Sequence, residues 1–109
     1  MKVDNKTNTT IIKDFTEPID QFCSKVLHEN HLYKNKNLIV DVSHIAIEIK
    51  DFKLFSDIAK HQKSAKKSFV IIAKDIDFNK TPAKLTVVPT MLEAHDIIEM
   101  EEIERDLGF

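Results

Sequence analysis

Glycine is almost absent from this chain of 109 residues: the single one is Gly108, the penultimate residue. Loops that hold a phosphate group need glycines, because their backbone N–H groups must approach the ligand closely and take up positive φ angles. The composition therefore excludes a P-loop, a dinucleotide-binding fingerprint and a KH-type loop. It also argues against the tight hairpin turns that depend on glycine.

Three further features are scarce, and each limits the class of protein. Cys23 is the only cysteine, so no internal disulfide can form and we expect a cytoplasmic protein. No apolar run approaches the roughly 18 residues of a membrane span, and none follows the N-terminus as in a signal peptide. The net charge of -2 gives no overall attraction to nucleic acid. A hydrophobic content of 42% favours a single globular domain over residues 1–109.

Five short segments are predicted to form β-strands. The predicted strands are KVDN (2–5), TTIIK (9–13), NLIVDV (37–42), SFVIIA (68–73) and LTVV (85–88). The first two form a hairpin around a turn at residues 5–8. The others are continuous apolar runs, which suit strands that are buried on both faces.

Three helices are predicted between and after these strands. The expected starts are Thr16, with Pro18 in the first turn, Asp51, and Thr90, which forms a capping box with Glu93. The helices should end near residues 28, 67 and 106. Helical spacing gives each helix a buried face. The predicted buried residues are Ile19, Phe22, Cys23, Val26 and Leu27 in the first helix, Phe55, Ile58, Ala59, Gln62 and Ala65 in the second, and Met91, Ala94, Ile97 and Ile98 in the third. This alternation predicts an α/β fold: a mostly parallel central sheet with an N-terminal hairpin and three main covering helices.

From residue 37 onward, this order of motifs resembles the STAS domain, which occurs in anti-sigma factor antagonists and at the cytoplasmic end of sulfate transporters. NLIVDVSHI is similar to that family's apolar strand ending in Asp-x-Ser. The family's central helix and following strand resemble FKLFSDIAKHQKSAKKSFVIIA. Its closing strand, turn and helix resemble LTVVPTMLEAHDII. The resemblance implies a small STAS-like domain that binds a protein partner and is not an enzyme.

The chain departs from that family at its regulatory turn. STAS antagonists have a phosphorylatable serine in a Ser-Ser-Gly-like turn just before the central helix, where this chain has AIEIKDF (46–52). No serine, threonine or glycine lies there, and Ser43 lies several residues too early. We therefore expect no phosphorylation switch at this turn. The loop and the helix start are still the predicted partner-binding site, which consists of Ser43, His44, Glu48, Lys50 and Asp51.

A second resemblance concerns the C-terminal sequence LEAHDIIEMEEIERDLGF (92–109). It is similar to a family of small bacterial proteins often labelled ribonuclease Z, which implies a role in RNA processing. True ribonuclease Z needs a His-x-His-x-Asp-His cluster, because each of its two zinc ions requires several ligands. No two histidines of this chain are separated by one residue; they are His28, His31, His44, His61 and His95. We therefore predict no catalytic residue, no metal site and no cofactor.

Two other groupings favour structural roles over chemical ones. Ser43 and His44 are neighbours at a strand end and point to opposite faces, so they do not line up with Asp41 as a catalytic relay. Cys23 lies within an apolar stripe, where a buried thiol is inert. Both groupings are therefore expected to contribute to packing rather than to catalysis.

Charge is distributed unevenly between two of the predicted helices. The central helix and its exit carry six lysines: Lys53, Lys60, Lys63, Lys66, Lys67 and Lys74. The last helix is acidic, with Arg105 as its one arginine or lysine. We favour two solvated faces of opposite sign. The alternative function is RNA binding through Lys60, Lys63 and Lys67, although no aromatic residues are interleaved with these lysines to stack bases.

The last helix has a second apolar sector opposite the one that faces the sheet. At about 100° per residue, Met100, Ile103 and Leu107 cluster there with Leu92. A helix of about 18 residues spans roughly 27 Å, which exceeds the roughly 17 Å of a five-residue strand. We therefore expect the helix to extend beyond the sheet and to present Met100, Ile103, Leu107 and Phe109 to another protein or a second copy of the chain. The alternative is packing under the N-terminal segment of the same chain.

Overall fold

The computed structural model describes residues 1–108 and contains a five-stranded sheet with three α-helices. The strands are β1 Lys2–Asn5, β2 Thr9–Lys13, β3 Asn37–Asp41, β4 Phe69–Ile72 and β5 Thr86–Val88. The α-helices are α1 Ile19–His28, α2 Ser56–Ser64 and α3 Met91–Asp106; short 3-10 helices lie at Asn30–Leu32, Ile49–Phe55 and Phe78–Lys80. The predicted α/β class is confirmed. No helix in the described part of the chain combines the length and apolar character needed to cross a membrane.

The strands lie side by side in chain order, from β1 to β5. β1 and β2 pair antiparallel as the predicted hairpin, whose turn is closed by a 2.8 Å hydrogen bond from the Lys6 N–H to the Thr9 carbonyl oxygen. The neighbouring pairs from β2 to β5 are all parallel, which confirms the mostly parallel sheet. The first residues of four strands therefore lie together at one end of the sheet, termed the amino end, and their last residues lie at the opposite carboxyl end.

Helices cover both faces of the sheet. On one face, α1 and α2 enclose the larger core, in which Phe22 and Phe55 are fully buried. On the other face, α3 packs on β4 and β5 through Ala94 and Ile98. Successive strand residues alternate between the two cores, because side chains of a strand point to opposite faces. Burial from both sides explains why the parallel strands are continuous apolar runs.

The predicted N-cap of α1 is wrong. Thr16 is exposed and makes no capping bond; Pro18 occupies the N-cap position and α1 begins at Ile19. The cause is the restriction that a proline places on the residue before it, which disfavours helical geometry at Glu17. A helix therefore cannot extend from Thr16 through Glu17 into Pro18 without strain.

The predicted second helix is divided into a 3-10 helix and the later α2, whereas the third helix begins as expected. The 3-10 helix Ile49–Phe55 precedes α2, with Glu48 as its N-cap and Asp51 three residues later. The Asp51 carboxylate accepts a 3.0 Å hydrogen bond from the Glu48 N–H, so Asp51 completes a capping box instead of being the cap itself. For α3 the prediction is confirmed, because the Thr90 hydroxyl accepts a 3.1 Å bond from the Glu93 N–H.

Candidate functional site

The first two residues of the predicted partner-binding loop lie at the carboxyl end of the sheet. Asp41 ends β3, and its carboxylate accepts hydrogen bonds from both the backbone N–H and the hydroxyl of Ser43. The exposed His44 ring packs edge-on against Phe15, and its Nε2 lies 2.9 Å from the Phe15 carbonyl oxygen. Ser43 therefore stabilises a local turn, and His44 ties the loop after β3 to the segment after β2.

The other three predicted residues lie at the start of the 3-10 helix that precedes α2. Glu48 and Asp51 form the capping box, and the Lys50 Nζ lies 3.3 Å from the Glu48 carboxylate. Both Glu48 and Lys50 are exposed, so this ion pair contributes little to stability. The structure thus places all five predicted residues in the connection between β3 and α2. That a partner binds there stays a prediction.

Cys23 lies in the core on α1, as the sequence predicts. Burial raises the pKa of its thiol to about 12, and the nearby carboxylates of Asp20 and Asp51 act in the same direction. A thiol with this pKa is protonated at neutral pH and is a poor nucleophile. Over residues 1–108, no group of three or more His, Cys, Asp or Glu side chains is arranged to hold a metal ion.

The second apolar sector of α3 is exposed on the face directed away from the sheet. Its members, termed the α3 stripe, are Leu92, Met100, Ile103 and Leu107, with 72%, 57%, 54% and 68% of their surface exposed. The opposite face of α3 is closed against the sheet by Ala94 and Ile98. The helix therefore has one packed apolar face and one apolar face without a covering element among the described residues.

The core contacts of α3 end at Ile98, in line with the predicted extension of the helix. Farther along, the Arg105 side chain bonds to Asn37 and Ser68 at the amino end of the sheet. The N-terminal segment contacts α3 through the Asn8 amide, which donates a 2.8 Å bond to Glu102, and the α3 stripe stays exposed. The stripe is thus exposed because it faces outward. Phe109, the fourth residue of the predicted interaction end, lies outside the described residues.

A groove at the amino end of the sheet has no counterpart in the sequence predictions. It measures about 600 Å³ and lies between the end of α2, the starts of β4 and β5, and the last turns of α3. The side chains that line this amino-end groove include five cations and two carboxylates: Lys63, Lys66, Lys67, Lys84 and Arg105, with Glu101 and Glu104. The lining therefore has an excess of three positive charges.

One wall of the groove contains a residue with strained backbone geometry. α2 ends in a Schellman motif, in which the Lys66 N–H donates to the Lys63 carbonyl at 3.0 Å and the Lys67 N–H to the Gln62 carbonyl at 2.9 Å. This motif holds Lys66 at a φ of 59°, in the left-handed region that glycine adopts at least cost. A lysine therefore occupies a position whose backbone favours glycine, and it lines the groove.

The opposite wall contains Arg105, which is held by neutral acceptors. Its guanidinium donates a 3.1 Å bond to the Ser68 hydroxyl and a 3.3 Å bond to the Asn37 amide oxygen. That amide oxygen also accepts a 2.8 Å bond from the Ser68 N–H, and both residues are buried. The salt bridges found over residues 1–108 involve other side chains. Arg105 is therefore positioned at the groove without a carboxylate partner in this part of the protein.

The lysines predicted for RNA binding are only partly brought together. Lys63 and Lys67 line the amino-end groove, whereas Lys60 lies on the exposed surface of α2 outside it. The sequence did contain a signal for the missed residue Arg105, because it is the one arginine or lysine of an acidic helix. Its bonds to Ser68 and Asn37 join three segments that are distant in the chain.

Comparison of the chain with models of known protein families and with curated proteins gives no match. The resemblance to STAS domains therefore rests on the sequence motifs alone. The same holds for the similarity to proteins labelled ribonuclease Z. Both stay predictions.

Proposed function

We propose that this chain is a non-catalytic, STAS-like interaction domain whose protein partner binds the α3 stripe. The observation that carries the proposal is the exposure of four large apolar side chains on the outer face of a helix whose inner face is packed. Met100, Ile103 and Leu107 are spaced i, i+3 and i+7, which is the spacing with which helices anchor in apolar grooves. Aligned apolar side chains of this size are characteristic of interaction surfaces.

The charges beside the stripe indicate the chemistry of the partner. With the exception of His95, the exposed residues next to it on α3 are acidic: Glu93, Asp96, Glu99, Glu104 and Asp106. Two α3 stripes packed against each other would bring these carboxylates together, and such like-charge contacts disfavour association. Charge complementarity therefore favours a different protein over a second copy of the chain. The partner presents apolar side chains bordered by lysine or arginine, as a basic amphipathic segment does.

The order of the elements supports the STAS-like part of the proposal. The central helix, β4, β5 and α3 follow one another as the sequence resemblance implies. At the position of the family's phosphorylated turn, Glu48 and Asp51 form a capping box without a hydroxyl group. Partner binding in this protein is therefore independent of phosphorylation at that turn.

Site-specific photo-cross-linking tests the proposal. A benzophenone amino acid replaces Ile103 in one variant and Leu32, which is 58% exposed away from α3, in a control variant. In the cells that produce the protein, we expect cross-links from position 103 to a partner segment that is rich in lysine or arginine and has helical apolar spacing. Ile103→Asp should abolish co-purification of that partner, whereas the matched change Leu32→Asp should not.

Two outcomes contradict the proposal. Cross-linking of position 103 to a second copy of the chain would show that the α3 stripe forms a homodimer contact and does not bind a basic partner. Equal loss of the partner in Ile103→Asp and Leu32→Asp would show that the α3 stripe is not its binding surface.

RNA binding is a second candidate function because Lys63 and Lys67 line a basic groove. The aromatic residue of that lining, Phe69, is buried and offers little surface on which a base could stack. An RNA complex would therefore depend on phosphate contacts and would weaken steeply as salt is raised. Absence of binding to precursor tRNA at low salt, with and without zinc, would exclude this function.

A further inference from the structure

We infer that the amino-end groove is a binding site for a small molecule that carries a diphosphate group. The inference is independent of the proposed function, because the groove and the α3 stripe lie on different faces of α3. Three features of the groove support it: its size, the excess of positive charge, and the way in which Arg105 and Lys66 are held.

The size of the groove suits a small molecule. Its volume of about 600 Å³ lies within the roughly 300–1,000 Å³ that is usual for small-molecule sites. Its walls are the end of α2 and the last turns of α3, and its floor includes Phe69 and Thr86 at the starts of β4 and β5. The ligand would therefore be held between two helices and against the sheet.

The charge of the groove suits a diphosphate. The lining contains five cationic side chains and two carboxylates, and none of these seven takes part in the salt bridges found over residues 1–108. Each phosphate group carries roughly one to two negative charges near neutral pH. A diphosphate therefore balances the three excess positive charges, whereas a neutral ligand would leave the cations repelling one another.

Arg105 is positioned to bind a phosphate oxygen. A guanidinium has five N–H donors in a planar fork that matches phosphate. Asn37 and Ser68 fix its orientation but do not neutralise its charge, because both acceptors are neutral. A partly buried cation without a counter-ion is unfavourable, and an anion in the groove removes that cost. The Ser68 hydroxyl accepts from Arg105, so its own proton is available to a second phosphate oxygen.

Lys66 is a second cation whose backbone is fixed at the groove. Its left-handed backbone, which Asp14 and Asp75 share outside the groove, is strained for any residue with a side chain. The end of α2 places the Lys66 side chain at the groove, although a glycine at this position would give the same helix end with less strain. Ligand binding and stability should therefore respond in opposite directions when Lys66 is replaced by glycine.

Calorimetric titration with inorganic pyrophosphate at low salt tests the site. We expect saturable binding to one site. Arg105→Gln should weaken it at least about tenfold, which corresponds to the loss of one charge-assisted contact. Lys66→Gly should weaken it several-fold while it raises the melting temperature. Lys60→Gln, which removes the same charge from α2 outside the groove, should leave the affinity close to that of the wild type.

Each other result overturns the inference. Absence of saturable binding below about 10 mM pyrophosphate excludes a built site. Equal affinities of Arg105→Gln and Lys60→Gln would indicate diffuse attraction to a basic surface. A single-stranded RNA oligonucleotide that binds and is not displaced by pyrophosphate would assign the groove to RNA. If Arg105→Gln does not fold, Lys66→Gly decides, because that variant should be more stable than the wild type.

Discussion

The left-handed conformation of Lys66 leads to a prediction of unusual sign: deletion of a whole side chain should stabilise the protein. Lys66 has a φ of 59° at the end of α2, where the Schellman hydrogen bonds are made by backbone groups. Lys66→Gly keeps these hydrogen bonds and removes the steric conflict between the Cβ atom and the backbone.

The magnitude follows from two opposing terms. The left-handed region costs a residue with a side chain roughly 1–2 kcal/mol, and glycine avoids this cost. Glycine loses more backbone freedom on folding, which offsets roughly 0.5–1 kcal/mol of that gain. The net increase in the free energy of unfolding is about 0.5–1 kcal/mol. For a domain of this size, the melting temperature should rise by roughly 2–6 °C.

Two matched variants isolate the cause, with the melting temperature measured by circular dichroism. Lys60→Gly deletes the same charge inside α2, where glycine should lower the free energy of unfolding by about 1 kcal/mol. Lys66→Ala deletes the charge but keeps the strained backbone, so it should stay close to the wild type. A melting temperature of Lys66→Gly at or below that of Lys66→Ala would refute the argument from backbone strain.

Three further outcomes are expected. The pKa of the Cys23 thiol rises from 9.0 to about 12 on folding, so the thiol loses its proton at a lower pH in the unfolded chain than in the folded protein. The stabilisation from the protonated thiol should therefore be fully present below about pH 9 and be lost between about pH 9 and 12. Urea midpoints should show this decrease in the wild type and a smaller decrease in Cys23→Ala. Thr90→Ala removes the cap of α3 and should lower the free energy of unfolding by about 1 kcal/mol in the same assay. Ile103→Asp should change that free energy by less than about 0.5 kcal/mol, which would separate partner loss from unfolding.

Local patterns were sufficient for the elements of this fold. Apolar periodicity and capping predict the strands from KVDN to LTVV and the helix after Thr90 almost to the residue, because these signals are encoded within short segments. The failures at Thr16 and Asp51 also have local causes. Pro18 restricts the residue before it, and a 3-10 helix precedes α2, so the caps are Pro18 and Glu48, two and three residues from the predicted positions.

The outward face of α3 could be predicted only in part. Helical spacing places Met100, Ile103 and Leu107 opposite the sheet-facing residues, but spacing does not show what covers them. Helix and strand lengths predict that α3 extends beyond the sheet, and its core contacts end at Ile98. Spacing and length do not predict the bonds of Arg105 to the amino end of the sheet.

The sequence by itself determined the α/β class, the buried faces of the helices and the exclusion of glycine-rich phosphate loops. Only the tertiary structure decided where the cations of α2 and α3 meet. The amino-end groove combines Lys66, Ser68, Lys84 and Arg105 with the support of Asn37. Apart from Lys66 and Ser68, these residues are distant in the chain, and they share no local pattern. The parallel order of β3, β4 and β5 brings their first residues together, and α3 returns along the sheet to place Arg105 among them.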